Sequence, residues 1–161
     1  MIRAAVTQDA DRLAEVHVRS WQRIYRGTFP DRFLDGLDLD RRKRFFRERI
    51  GSGDVVLVAE SDGEIVAFCW PAPASQEGCG EILSIYAHPD HWGHGHGRAL
   101  LEAAEKHLRD QGYERALLWV LDTNERAREF YERQGWSLGR GMKLEDIGGV
   151  QINEVCYEKA L

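Results

Sequence analysis

Cysteine is scarce, with three residues in 161, at positions 69, 79 and 156. An odd number at wide spacing excludes a disulfide framework and points to a reducing compartment, so the expected location is cytoplasmic. Cys69, Cys79 and Cys156 are expected to be buried small apolar residues. No apolar run approaches the roughly 20 residues that a bilayer span needs. The start, Met1 to Val6, soon meets Gln8, Asp9 and Asp11, which a signal peptide would not. A basic excess is also lacking. Lys and Arg number 22 against 27 Asp and Glu, a net charge of −5. That balance gives no general pull toward nucleic acid or an anionic membrane. Any anionic ligand must be held by local geometry.

What is present fits one globular domain over residues 1–161, 43% hydrophobic and without repeat, low-complexity tract or linker. Ile2 to Val6 reads as a strand. Asp9 is placed to cap a helix in which Leu13, Val16, His17 and Trp21 recur at helical spacing. Pro30-Asp31 starts another helical piece, and Asp40 to Ile50 reads as a charged helix. Val55 to Ala59 and Ile65 to Trp70 read as strands joined by a hairpin turn at Asp62-Gly63. Pro71 to Gly80 reads as a loop and Glu81 to Ala87 as a strand. A helix through Leu100, Leu101, Ala104 and Leu108 ends near Gly112. Ala116 to Leu121 reads as a buried strand, and Asp122-Thr123-Asn124 is placed to cap a short helix through Gln134 that Gly135 stops. Trp136 to Leu138 and Val150 to Tyr157 read as final strands joined by a glycine-rich segment, Gly139 to Gly149. The alternation predicts a mixed α/β layer domain.

The segment from His88 to Leu101 carries the most chemistry. Gly93, Gly95 and Gly97 alternate with other residues, and a helical pattern follows at once. Such a strand-to-helix turn lets an anion reach unpaired N–H groups at the positive end of a helix. It is not a Walker A motif, and its glycine spacing differs from the dinucleotide fingerprint. The same stretch holds four of the six histidines, His88, His91, His94 and His96. A histidine metal sensor is therefore a second reading, but no finger-like ligand spacing accompanies it, so no metal is expected. The run Arg41-Arg42-Lys43-Arg44, with Arg47 and Arg49, reads as a solvated helix face.

Glu81-Ile82-Leu83-Ser84-Ile85-Tyr86-Ala87, the glycine turn, and then Asn124-Glu125-Arg126-Ala127-Arg128-Glu129-Phe130-Tyr131 through Gly135-Trp136 resemble the GCN5-related N-acetyltransferases. The resemblance covers nearly the whole chain. It implies that family's fold, a central mixed, mostly antiparallel sheet flanked by helices. It also implies an acetyl-CoA-dependent N-acetyltransferase that moves acetyl to a primary amine of a small molecule or protein by direct attack in a ternary complex. A non-catalytic acyl-CoA-binding module is the alternative.

By the same resemblance, the pyrophosphate of acetyl-CoA sits on the N–H groups of His94, Gly95, His96, Gly97, Arg98 and Ala99. The pantetheine arm lies along Ile85, Tyr86 and Ala87, with an N–H near Tyr86 polarising the acetyl carbonyl. Tyr131 is the general acid, Glu81 the general base acting through water, and Asn124 lies close to the cofactor. Arg126 and Arg128 are candidates for the nucleotide phosphate, and Trp21, Tyr25, Phe29 and Phe33 for the acceptor lining. The expected partners are acetyl-CoA and an amine acceptor, with a homodimer admitted. One position departs from the family pattern: Trp92 stands where Gln or Arg is usual.

Overall fold

Apolar residues two apart build strands and apolar residues three or four apart build helices. The computed structural model, which describes residues 1–161, interleaves the two. The strands are β1 (Ile2–Ala4), β2 (Leu57–Ser61), β3 (Glu64–Pro73), β4 (Cys79–Ala87), β5 (Arg115–Leu121), β6 (Ser137–Ile147) and β7 (Val150–Ala160). The helices are α1 (Ala10–Ile24), α2 (Asp31–Asp35), α3 (Leu39–Gly51), α4 (His96–Asp110) and α5 (Glu125–Arg133). All strands join one sheet in the order β1-β2-β3-β4-β5-β7-β6. Only β4 and β5 run parallel; every other neighbouring pair is antiparallel. This is the mixed, mostly antiparallel sheet that the resemblance implies.

Helices cover both faces. On one, Leu100, Leu101, Ala104 and Leu108 of α4 pack against Leu57, Ala67, Ile82 and Leu118. On the other, Leu13 and Val16 of α1 and Phe46 of α3 pack against Val56, Val58 and Phe68. The end of α1 and α2 closes over Leu121 and Ile152 through Tyr25, Phe29 and Leu34. Leu13, Leu34, Leu100 and Leu118 are essentially out of water, each contributing about 1.5–3 kcal/mol of transfer free energy.

Several boundaries differ from the sequence reading, each for a local reason. β1 stops at Ala4. Asp9 precedes α1 but does not cap it with its side chain. Its carboxylate instead accepts the Val6 N–H at 2.8 Å and an Arg3 N–H at 2.7 Å, and Arg3 holds it below the ordinary aspartate range. The Asp62-Gly63 hairpin forms as expected, with φ of 52° and 79° at the two turn residues.

The largest difference is β6. The glycine-rich segment is not a connector but most of an eleven-residue strand, which turns into β7 only at Gly148-Gly149. Its glycines are there for close approach. A Cβ on Gly141 would lie 2.8 Å from the Trp119 ring, and one on Gly139 would lie 3.1 Å from the Glu158 side chain. Gly141→Ala is therefore expected to destabilise the fold by about 1–3 kcal/mol, as overpacking does, measured by urea unfolding. Unchanged stability would mean that Trp119 has room to swing aside.

Candidate active site

The site begins with one extra residue in a strand. β3 and β4 pair Trp70 with Ser84 and then Pro71 with Ile82, which leaves Leu83 as a bulge. The bulge exchanges the faces of the residues beyond it: Ile85 and Ala87 join the α4 side, whereas Tyr86 joins the α1 side. β4 and β5 pair only from Cys79–Arg115 to Ile82–Leu118 and then part. Beyond that point β4 keeps β3 on one edge and opens onto a cleft on the other. The His88 N–H donates to the Val66 carbonyl at 2.8 Å, so by antiparallel alternation Tyr86 faces β3. The N–H groups turned to the cleft are then those of Ile85 and Ala87. Both flank Tyr86.

After β4 the chain makes a 3-10 turn at Pro89–His91 and enters α4 through Gly95, which caps the helix in a left-handed conformation with φ 81°. Nothing lies within 4 Å of where a Cβ on Gly93 or Gly95 would be, so the space over the turn is open. The first helical bond is Ala99 N–H to the Gly95 carbonyl at 3.1 Å. Ala99 is thus already engaged, contrary to expectation. The N–H groups of His94, Gly95, His96, Gly97 and Arg98 hydrogen-bond to nothing in the protein. Five successive donors at a helix N-terminus form an anion cradle.

The cradle and the parted end of β4 share a cavity of about 480 Å³. Ile85, Tyr86, Ala87, Gly95, His96, Gly97, Arg98, Asn124 and Tyr131 line it, with Arg23, Arg126 and Arg133 as further cations. The His94 ring is turned away, its Nδ1 3.2 Å from the His91 carbonyl. Asn124 caps α5, its Oδ1 accepting the Ala127 N–H at 3.2 Å, while its side chain also reaches the cavity. An apolar channel that ends in unpaired N–H groups and cations fits a ligand such as coenzyme A, with a pyrophosphate at one end and a thin arm at the other. No three His, Cys, Asp or Glu side chains gather to hold a metal ion.

Tyr131 stands where this cavity meets a second one of about 280 Å³, and it lines both. Its side chain is buried and makes no hydrogen bond, and burial raises its pKa well above the ordinary phenol value. The second cavity passes through the gap between β4 and β5 to the α1 face, where Trp21, Tyr25, Glu145 and Glu154 line it. Glu145 and Glu154 are diagonal neighbours on one face of the β6–β7 hairpin. Burial, and then Glu145 beside it, push the Glu154 carboxyl up to about 7. Glu81 is half-buried in the paired stretch of β4, opposite Leu117, and lines neither cavity. Burial raises its pKa, opposed by Lys143.

A family model described as Acetyltransferase (GNAT) family matches residues 18–136. The chain belongs to the GNAT family. An uncharacterised N-acetyltransferase of Bacillus subtilis, YuaI, is 30% identical over 158 residues, covering 96% of this chain and 89% of that protein. A mycothiol acetyltransferase of Propionibacterium freudenreichii is 35% identical over 101 residues, which are 62% of this chain. This GNAT chain spans only 32% of that protein's length. Its fold is like that of the paiA N-acetyltransferase from Thermoplasma acidophilum, solved in complex with coenzyme A. The TM-score is 0.74 at 23% identity, over 100% of this chain and 98% of that one.

Trp92, the departure from the GNAT pattern, has a place in this geometry. Its Nε1–H donates to the Ala87 carbonyl at 2.8 Å, and the Arg126 guanidinium lies 3.9 Å from the centre of its ring. The indole therefore ties the glycine turn to the end of β4 and holds a cation at the cavity wall. Arg128 does not face the cavity. It donates to the Tyr157 hydroxyl at 3.1 Å and to the Asp122 carbonyl at 2.8 Å. Of the aromatics flagged from the sequence, Trp21 and Tyr25 line the second cavity, whereas Phe29 is core and Phe33 lies elsewhere. Glu145 and Glu154 escaped the sequence reading. Strand alternation through Lys143, Glu145 and Ile147 was the available signal, masked by the glycines before it.

The folded protein keeps Glu154 protonated up to about pH 7, whereas an ordinary glutamate releases its proton near 4.5. Between those values the folded state binds the extra proton, so stability falls as pH rises through that window. Thermal unfolding across the window should show the decline, and Glu154→Gln should flatten it. An identical decline in the variant would assign the titration to another group.

Proposed function

We propose that this protein is an acetyl-CoA-dependent N-acetyltransferase that moves acetyl to a primary amine by direct attack in a ternary complex. The observation that carries this reading is the position of Tyr131, between a cavity ending in five free N–H groups and a cleft that crosses the sheet to two carboxylates. Acetyl-CoA supplies the acetyl group as a thioester. The N–H groups of His94 to Arg98 hold its pyrophosphate, with Arg126 beside them. Ile85 and Ala87 offer the cleft-facing N–H groups that pair with the arm and polarise the carbonyl. Asn124 contributes its free amide at the same wall.

The acceptor enters from the α1 face. An ammonium arriving beside Glu145 and Glu154 favours the ionised form of Glu154 and is then held by it, next to the ring of Trp21. The nitrogen must lose a proton before it attacks, and Glu81 is the base that takes it, through water. As the new C–N bond forms and the C–S bond breaks, Tyr131 gives its proton to the departing sulfur. Its raised pKa keeps that proton in place at neutral pH.

Purified protein mixed with acetyl-CoA and a panel of amines, with free thiol followed, tests the reading. Tyr131→Phe should lower kcat by about 10²–10⁴-fold while leaving coenzyme A affinity unchanged. Glu81→Gln should lower kcat, whereas Glu154→Gln should act mainly on the acceptor KM. Tight coenzyme A binding with no thiol release on any amine would favour an acyl-CoA-binding module instead.

A cytoplasmic location is supported by three free, buried thiols. No helix is long and apolar enough to cross a membrane. A homodimer is supported by the outer edge of the sheet, where β6 exposes Leu138, Met142 and Leu144. An open edge with a row of apolar side chains is a ready pairing surface. Light scattering should report a dimer for the native chain and a monomer for Met142→Lys. A monomer in both would remove the dimer.

A further inference from the structure

The α1–α3 side of the molecule holds a third cavity, of about 590 Å³, that the acetyl-transfer chemistry leaves unused. Its charged wall comes from the basic run that sequence pattern assigns to a solvated helix face. In the structure that run divides. Arg47 pairs with Asp11 at 2.8 Å, Arg49 with Asp54 at 2.8 Å, and Lys43 leans toward Asp40 at 3.9 Å. Arg41 and Arg42 line the cavity instead, and neither enters an ion pair. The one carboxylate on that wall, Asp38, caps α3 by accepting the Arg41 backbone N–H at 2.9 Å.

Arg42 is partly buried, with its guanidinium 5.1 Å from the Phe45 ring centre. Burial, and then Arg41 beside it, lower its pKa. Both arginines occupy the first turn of α3, the positive end of the helix dipole, where cations are unfavourable. Local conflicts of this kind are expected at functional or strained sites.

His17 and Trp21 line the same wall; His17 Nδ1 is buried without a partner, whereas Trp21 Nε1–H is turned toward the Tyr86 hydroxyl. A buried polar group left unpaired costs about 1–3 kcal/mol. Burial first and Arg42 second drive the His17 pKa down to about 3, so the imidazole is neutral and can present a hydrogen on either nitrogen. Two guanidinium groups are donors with no acceptor of their own, and guanidinium matches a carboxylate in a two-point fork. Phe33, Leu37 and Phe45 add apolar wall, which suits an organic anion better than a hydrated inorganic one.

This cavity adjoins the cleft through the sheet, with Trp21 and Ile147 lining both. One side therefore presents Arg41 and Arg42, and the other Glu145 and Glu154. We propose that the cavity binds the carboxylate of the acceptor, so that the substrate is an amino-carboxylate whose amine and carboxylate lie on opposite sides of the Trp21 wall. The inference rests on the acetyltransferase reading for the role of the amine. Because an indole stands between the two charged ends, the acceptor is an ω-amino acid or a molecule of similar span rather than an α-amino acid.

The test is thiol release from acetyl-CoA with a series of ω-amino acids from β-alanine to ε-aminocaproate, each paired with its carboxamide. For the best chain length, the acid should exceed the amide in kcat/KM by about tenfold or more, the worth of a charge-assisted hydrogen bond. Arg42→Gln should erase that preference through KM, with activity on the amide and coenzyme A affinity both unchanged. Equal use of acid and amide by the native protein would overturn the proposal, as would an unaltered preference in Arg42→Gln.

Calorimetry of ε-aminocaproate with the coenzyme A-loaded protein separates the two readings. Binding that Arg42→Gln weakens about tenfold, without thiol release on any amine, would keep the carboxylate site and sink the transferase instead. Equal competition by inorganic phosphate would mark a general anion site and overturn the assignment to the acceptor.

Discussion

β4 and β5 run side by side for four residue pairs and then separate, and almost everything about the site depends on that separation. A continuous sheet would have spent the inner edge of β4 on hydrogen bonds to its neighbour. The parting leaves that edge free, opens a passage from one face of the sheet to the other, and lets Tyr131 of α5 stand between two cavities. The cost is moderate because both strands stay anchored on their other edges, β4 to β3 and β5 to β7 along its whole length. The free backbone groups can face water or a ligand, so no buried donor is stranded.

Charge is handled locally. The chain is acidic overall, yet one cavity is rimmed by arginines and backbone donors, a second ends in paired carboxylates, and a third is walled by two arginines without counter-ions. Such separation within a small domain orients a ligand that carries both signs of charge. It also shows how little net charge says about what a folded surface attracts.

The parts legible in the sequence are those whose chemistry is contiguous. The glycine turn needs only Gly93, Gly95 and the start of α4, and Asn124 to Trp136 is a capped helix with its stop. The illegible parts depend on contact between distant segments. The partners of Trp92 are a carbonyl at the end of β4 and an arginine on α5. Glu145 and Glu154 meet only because β6 is a strand, and its glycines disguised it as a loop. There the competing demand was room beside Trp119 and Glu158, which side-chain spacing does not register. Arg41 and Arg42 look like Arg47 and Arg49 in sequence; only the positions of Asp11 and Asp54 tell them apart.

The bulge at Leu83 makes β4 a counting device. Upstream of it, the inward and outward positions obey one parity; downstream they obey the other. Removing that single residue would preserve every hydrophobic character in Ser84 to Ala87 and yet exchange their faces, delivering Ile85 to the α1 side and Tyr86 to the α4 side. Residue 83, a half-exposed leucine, sets the parity by its presence and also lines the cleft through the sheet. In this strand the number of residues, and not only their kind, decides which face each side chain meets.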